Sequence, residues 1–172
     1  MRKFLLTGIL LLGLAGLAGQ AAAAELISAK DAESILNMAK GFGSATLDKD
    51  KEGDPKITGR IDGMNYGIYF FGCKSGKDCD SILFATGWTK DVKKISLAEV
   101  NKWNQQKRFG HAFIDRDEDA ALQMDVHLSP GMAVQNLEAY FQRWQSLMNT
   151  FRKEVISPNA PQGNPSSARG NT

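Results

Sequence analysis

The sequence predicts an α+β fold, an antiparallel sheet with helices packed on it, and three features predict it. Two apolar runs, Tyr66–Phe71 and Ser81–Ala85, flank a short polar loop between Cys73 and Cys79 and read as the strands of a hairpin. A second pair, Phe109–Asp115 and Ala121–Leu128, brackets the charged turn Arg116–Asp119 in the same way. Behind them comes the clearest amphipathic pattern in the chain. Val134, Leu137, Tyr140, Phe141, Trp144, Leu147, Met148 and Phe151 fall at i, i+3, i+4 spacing, a stripe that must bury one face of a helix. Hairpins separated by helices favour helices laid against one sheet face.

The elements follow in order. Ser28 is the expected cap of a first helix running to about Lys40, with Ala29, Ile35, Leu36 and Met38 as its apolar positions and Gly41 and Gly43 ending it. Ser44–Lys49 and Lys56–Asp62 read as short strands joined by the acidic turn Asp48–Asp54. Tyr66–Cys73 and Cys79–Thr86 form the hairpin already described. Ser96-Leu97-Ala98-Glu99 is a capping box, in which the Ser side chain accepts from the third helical amide while the Glu reaches back; it opens a helix to about Lys107. The second hairpin follows, and Ser129 and Pro130 set up the start of the last helix. The order is α-β-β-β-β-α-β-β-α.

The ends read differently. Arg2 and Lys3 form a positive n-region, Phe4–Leu17 is uncharged and apolar, and Ala22-Ala23-Ala24 fits a cleavage site, so residues 1–24 are expected to be a signal peptide. The uncharged stretch approaches the ~20 residues of a membrane span, but its Gly and Ala content and the cleavage-like site favour a removable leader. No cysteine lies near that site to carry a lipid anchor. The expected product is a domain over 25–156, periplasmic or secreted, with no stable membrane insertion. A Pro/Gly/Asn/Ser-rich tail over 157–172 is expected to be disordered.

Composition narrows function. The 172 residues suit one domain, and 42% hydrophobic with 9% aromatic residues suffice for a core. Arg2 and Lys3 are two of the 21 basic residues, so the part behind the leader balances its 19 acidic residues with 19 basic ones. A neutral domain offers no electrostatic footprint for nucleic acid. In an oxidising compartment Cys73 and Cys79, set on facing strands, are expected to form a disulfide. Their C-x₅-C spacing is not the C-x-x-C of a redox pair, and no further cysteine exists to complete a soft-metal site.

Catalytic patterns are sparse. There is no nucleophile elbow, zinc-protease helix or phosphate-binding loop. A hairpin placing Asp115 opposite Ala120 would set His111 against Met124 and His127 against Arg108, keeping the two histidines apart. Asp48-x-Asp50-x-Glu52-Gly53 begins like a calcium loop, but its twelfth position is Gly59. Asp115-x-Asp117-x-Asp119 ends on Val126. Both read as solvated turns, and no cofactor or metal is expected.

Two surfaces are the binding candidates. Pairing Cys73 with Cys79 sets Phe70 opposite Ile82 and Ile68 opposite Phe84 on one side, and Tyr69 opposite Leu83 with Phe71 by Ser81 on the other. Both sides are then apolar, where a half-solvated sheet would alternate. Either a second layer covers Tyr69, Phe71 and Leu83, or a partner does. On the middle helix, Leu97, Asn101, Asn104 and Arg108 form one stripe. These side chains either tie the helix to strand carbonyls and the turn before Phe109, or grip a peptide backbone or carboxylate.

The segment Tyr66–Phe151 resembles the YbjN family of bacterial sensory transduction regulators. The resemblance is carried by Cys73, Cys79-Asp80-Ser81-Ile82, Val100-Asn101-x-Trp103-Asn104-x-x-x-Arg108-Phe109, Phe113–Asp115, Met124-Asp125-Val126 and the aromatics of the last helix. It implies a fold like that of type III secretion chaperones, small α+β domains that dimerise and bind extended protein segments, and it implies no catalytic residue. The leader sets this chain apart from the better-known cytoplasmic members. The expectation is therefore an exported, non-enzymatic binding or regulatory domain, chaperone-like, forming a homodimer and recognising a protein or peptide segment. A periplasmic small-ligand sensor, with an apolar pocket between the last helix and the sheet, and a small hydrolase with an unrecognised site are the alternatives.

Overall fold

The computed structural model describes residues 25–89 and 94–156. The expected leader and tail, 1–24 and 157–172, lie outside the described residues. The elements run β1 (Leu26–Ile27), α1 (Ala32–Phe42), β2 (Ser44–Lys49), β3 (Pro55–Ile61), β4 (Met64–Phe71), β5 (Ser81–Trp88), α2 (Leu97–Gln106), β6 (His111–Ile114), β7 (Ala120–His127), β8 (Met132–Ala133) and α3 (Val134–Phe151), closed by a π-helical turn, Arg152–Ile156. This is the expected α+β order with two short strands added. Six strands form one antiparallel sheet in the order β2-β3-β4-β5-β7-β6, and β1 pairs with β8 separately.

Local chemistry explains most boundaries. Asp31, not Ser28, caps α1: its carboxylate accepts from the Ser34 amide at 3.0 Å, and a hydrogen bond from the Ser34 hydroxyl, together with the amide one, holds its pKa below the usual carboxylate range. The capping box of Ser96 and Glu99 opens α2 as expected. Between β3 and β4, Asp62 and Gly63 both have positive φ (52° and 78°), the conformation a two-residue hairpin turn demands. Asp62 also ties this turn to α3, accepting from Asn149 at 2.7 Å and Gln145 at 2.9 Å, donors that hold its carboxyl below the ordinary range.

Two acidic turns share one design. The Asp50 carboxylate accepts from the Glu52 and Asp54 amides, and the Asp115 carboxylate from those of Asp117 and Asp119. Each carboxylate thus organises its own turn, as a side chain that mimics a backbone acceptor does.

The β4–β5 register matches the expectation, with Ile68↔Phe84, Tyr69↔Leu83, Phe70↔Ile82 and Phe71↔Ser81. The ladder stops there, and Cys73 and Cys79 stand just beyond it, joined by a disulfide. The second hairpin differs by one residue. Ile114, not Asp115, lies opposite Ala120, so His111 faces Gln123 rather than Met124. Asp115 is drawn into the turn, where its amide donates to the Asp119 carbonyl at 2.9 Å and Glu118 takes a left-handed φ of 62°. His127 pairs with Ser81 on β5, not with Arg108. Nor does Ser129-Pro130 begin the last helix. Val134 opens it after β8, and its amide donates to the Glu25 carbonyl at 3.2 Å, so the segment entering the domain caps α3.

The main core lies between the helices and one sheet face. From α3, Leu137, Phe141, Trp144, Leu147, Met148 and Phe151 are buried, while Val134 and Tyr140 from the expected stripe are half-buried. Phe84 meets Phe141 edge-on at 4.9 Å and Trp144 at 5.6 Å; Phe151 sits against Trp88 and Trp103 at 5.1 and 4.9 Å. Burying each such ring contributes about 2–3 kcal/mol. Tyr66 lies across Gly59 of the neighbouring strand, where an added Cβ would stand 2.5 Å from the ring, and burial pushes its phenol pKa upward. The opposite sheet face carries a second, smaller cluster of Tyr69, Leu83, Ala85 and Ala121 with Phe71 and Phe113 at its margin, all strand residues.

Candidate functional site

The residues between α2 and β6 hold the most unusual local arrangement in the domain. α2 ends at Gln106, and the chain must turn sharply to enter β6 at His111. Asn104 fixes the geometry of that turn. Its side-chain oxygen accepts from the Ala112 amide at 2.8 Å and its side-chain nitrogen donates to the Ala112 carbonyl at 2.9 Å. β6 is the sheet's outer strand, so Asn104 supplies the pairing that a seventh strand would otherwise make.

With α2 pinned in this way, the chain passes Phe109 in a left-handed conformation, φ 74°, which bulky side chains rarely adopt. The consequence is that the ring stays 49% exposed. Two guanidinium groups hold it: Arg108 lies 4.9 Å and Arg143, from the exposed side of α3, 3.8 Å from the ring centroid. Among the described residues neither arginine makes an ion pair. Lys107 is different. It pairs with Glu154 at 2.9 Å and lies over Trp103.

Two grooves open beside Phe109. One, of about 250 Å³, is lined by Met132, Asn136, Ala139 and Tyr140 with Phe109 and Arg143. The other, of about 710 Å³, runs along α3 past Arg108, Arg143, Leu147 and Thr150. Neither is lined by an Asp or Glu among the described residues.

The residues singled out in the sequence separate into four groups. Asn104 is the edge tie described above. Arg108 joins the ring clamp, while Asn101 is exposed and bonds to no described residue. Tyr69 and Leu83, 2% and 6% exposed, lie together in the second cluster with half-buried Phe71 beside them, across the sheet from the helices. The sequence reading missed Phe109 as an exposed group and Arg143 as its partner. Phe109 read as the first residue of a strand, and Arg143 fell outside every pattern singled out. The pairing joins residues 34 positions apart, and only the fold reveals it.

His111, Asp115 and Arg108 each have contacts within the domain. His111 hydrogen-bonds the Gln123 side chain at 3.1 Å and stacks on Phe113, Asp115 organises its turn, and Arg108 stacks on Phe109. The expected ligand pocket between α3 and the sheet is filled by Phe84, Phe141 and Trp144. A cavity of about 620 Å³ opens instead between α1, α3 and β1, lined by Glu25, Asp31, Glu138, Met38 and Phe42 among others. No described helix is long and apolar enough to cross a membrane.

No curated protein matches the chain. A family model does, over residues 31–157, well beyond half of the chain; it describes a "Putative bacterial sensory transduction regulator". The chain belongs to the YbjN family, a family of regulators.

Proposed function

We propose that the chain acts outside the cytosol as a non-catalytic regulatory domain that recognises a protein segment. The observation that carries this reading is Phe109, an exposed ring on a left-handed backbone, held by two arginines that make no ion pair among the described residues. A side chain kept in strain and in solvent serves the fold poorly and a partner well. Family membership supports a regulatory or binding role. The disulfide and the leader-like sequence support export. The chaperone-like fold that the sequence resemblance implies adds a homodimer to the proposal.

The test uses the chain expressed with its leader and purified from the periplasmic fraction. Periplasmic extract is passed over the immobilised protein, and its elution volume is measured beside that of standards. A specific partner retained by the wild type and lost on the double substitution Arg108→Ala/Arg143→Ala supports the reading. Recovery of the protein only from the cytosol, or a monomer that retains nothing specific, overturns it.

A further inference from the structure

We infer that the surface around Phe109 is a recognition site for an acidic protein segment, a carboxylate side chain flanked by an apolar one. This rests on the reading of the domain as a binding module and specifies the chemistry of what it binds.

The charge arrangement points to the carboxylate. Arg108 and Arg143 both approach one ring within 5 Å, so their cations stand within about 10 Å of each other, close to the screening length of roughly 8 Å at physiological salt. No described acid neutralises either. A guanidinium lying against an aromatic face keeps its N–H fork for a planar, two-oxygen acceptor, and a carboxylate has that shape. An anion bound by either guanidinium would offset the repulsion between the two cations while gaining directed hydrogen bonds.

The apolar neighbour is indicated separately. Phe109, Met132, Ala139 and half-buried Tyr140 line the smaller groove beside the fork, and no Asp or Glu does. A ligand with charge alone would leave that groove unused. A nucleic acid is a poorer fit, since phosphate tracks need many cations in a row. Here Lys107, which lines the larger groove, is already held by Glu154, and the chain behind the leader has no net charge. The left-handed backbone at Phe109 completes the case: the ring it carries stays half-exposed and lines both grooves.

The experiment is an NMR titration of the full protein with two capped peptides, one containing Leu-Glu-Leu-Glu between Gly-Ser flanks, the other with Gln for Glu. Phosphatidylglycerol vesicles and inorganic phosphate serve as further arms. The Glu peptide should shift the amides of residues 108–110 and 143, and the Gln peptide should bind at least about tenfold more weakly, the scale of a lost charge-assisted hydrogen bond. Arg143→Ala should weaken the Glu peptide by a similar factor, and Arg143→Lys should not restore it, because Lys lacks the fork. Phe109→Gly, which suits the left-handed backbone and keeps the fold, should also lose the peptide. Equal binding of the two peptides, no binding of either, an undiminished Arg143→Ala, or a response to vesicles or phosphate alone would each overturn the inference. The two readings fail separately. A periplasmic partner held equally by wild type and Arg143→Ala sinks the acidic-segment assignment and leaves the binding domain standing. Glu-peptide binding with no protein partner retained does the reverse.

Discussion

Replacing Asn104 by Ala removes two hydrogen bonds at once, and the structure sets the size of the loss. Both go to the backbone of Ala112, a residue only 3% exposed on the outer strand of the sheet. Each bond contributes about 1 kcal/mol net, and leaving a buried amide and carbonyl without partners raises the cost toward their desolvation penalty. Together these give about 2–4 kcal/mol, a large share of the 5–15 kcal/mol that typically stabilises a domain. For a domain of this length that corresponds to a fall in melting temperature of roughly 10 °C. Asn101→Ala is the internal control. The residue type is the same, it lies one turn earlier on the same helix, and its exposed side chain hydrogen-bonds no described residue, so the change should stay within about 0.5 kcal/mol. Urea unfolding followed by circular dichroism measures both variants, and hydrogen exchange at the Ala112 amide reports the edge directly. Equal stability of the two variants, or unchanged protection at Ala112, would refute the account of how the β6 edge is closed.

Three other outcomes are expected. Gly59→Ala would drive a Cβ to 2.5 Å from the Tyr66 ring and should destabilise by about 1–3 kcal/mol in the same urea assay; a neutral result would mean the ring moves freely. Protein recovered from the periplasm should show no titratable thiol. The Cys73→Ser/Cys79→Ser variant should fold with about 2 kcal/mol less stability, since the sequence separation of six closes only a short loop. Finally, Asp62 has a folded pKa depressed by its Asn149 and Gln145 donors, so its contribution is fully present above the unfolded carboxylate pKa and is lost as pH falls through the folded one. Between pH 5 and pH 2 the wild type should therefore lose more melting temperature than Asp62→Asn, and parallel curves would exclude the linkage.

How far the sequence could be read depended on whether local pattern or distant packing decided each feature. The β4–β5 register was legible because apolar residues on both strands and a cysteine pair beyond them agree on one alignment, and a slip would break every pair. The β6–β7 register was misread by one residue because the turn between them is set by carboxylate-to-amide bonds of Asp115, which no hydropathy pattern encodes. That slip mattered, since it moved His111 from the Met124 side of the sheet to the Gln123 side. The β1–β8 pair was invisible, two residues on each strand being too short for any periodicity. Capping followed the same division. The Ser96–Glu99 box was plain from spacing, whereas the cap of α3 is the Glu25 carbonyl, over a hundred residues away.

The candidate site shows why one motif supported two readings. The run Asn101-x-x-Asn104-x-x-x-Arg108-Phe109 looked like a single polar stripe that was either a tie or a grip. In the fold its two halves divide the work. Asn104 bonds inward to β6, and because those bonds fix the end of α2, they also fix where the chain must turn; Arg108 and Phe109, just beyond, are carried outward to meet Arg143 on α3. Neither half would serve alone. Without the tie, the left-handed turn at Phe109 would relax toward an ordinary backbone and the ring could fold back on the surface. Without the outward pair, the tie would close an edge and present nothing. The geometry that stabilises the sheet's last strand is therefore the same geometry that presents the clamp, and so the acid-binding chemistry lies at the junction of helix and edge strand rather than on either one.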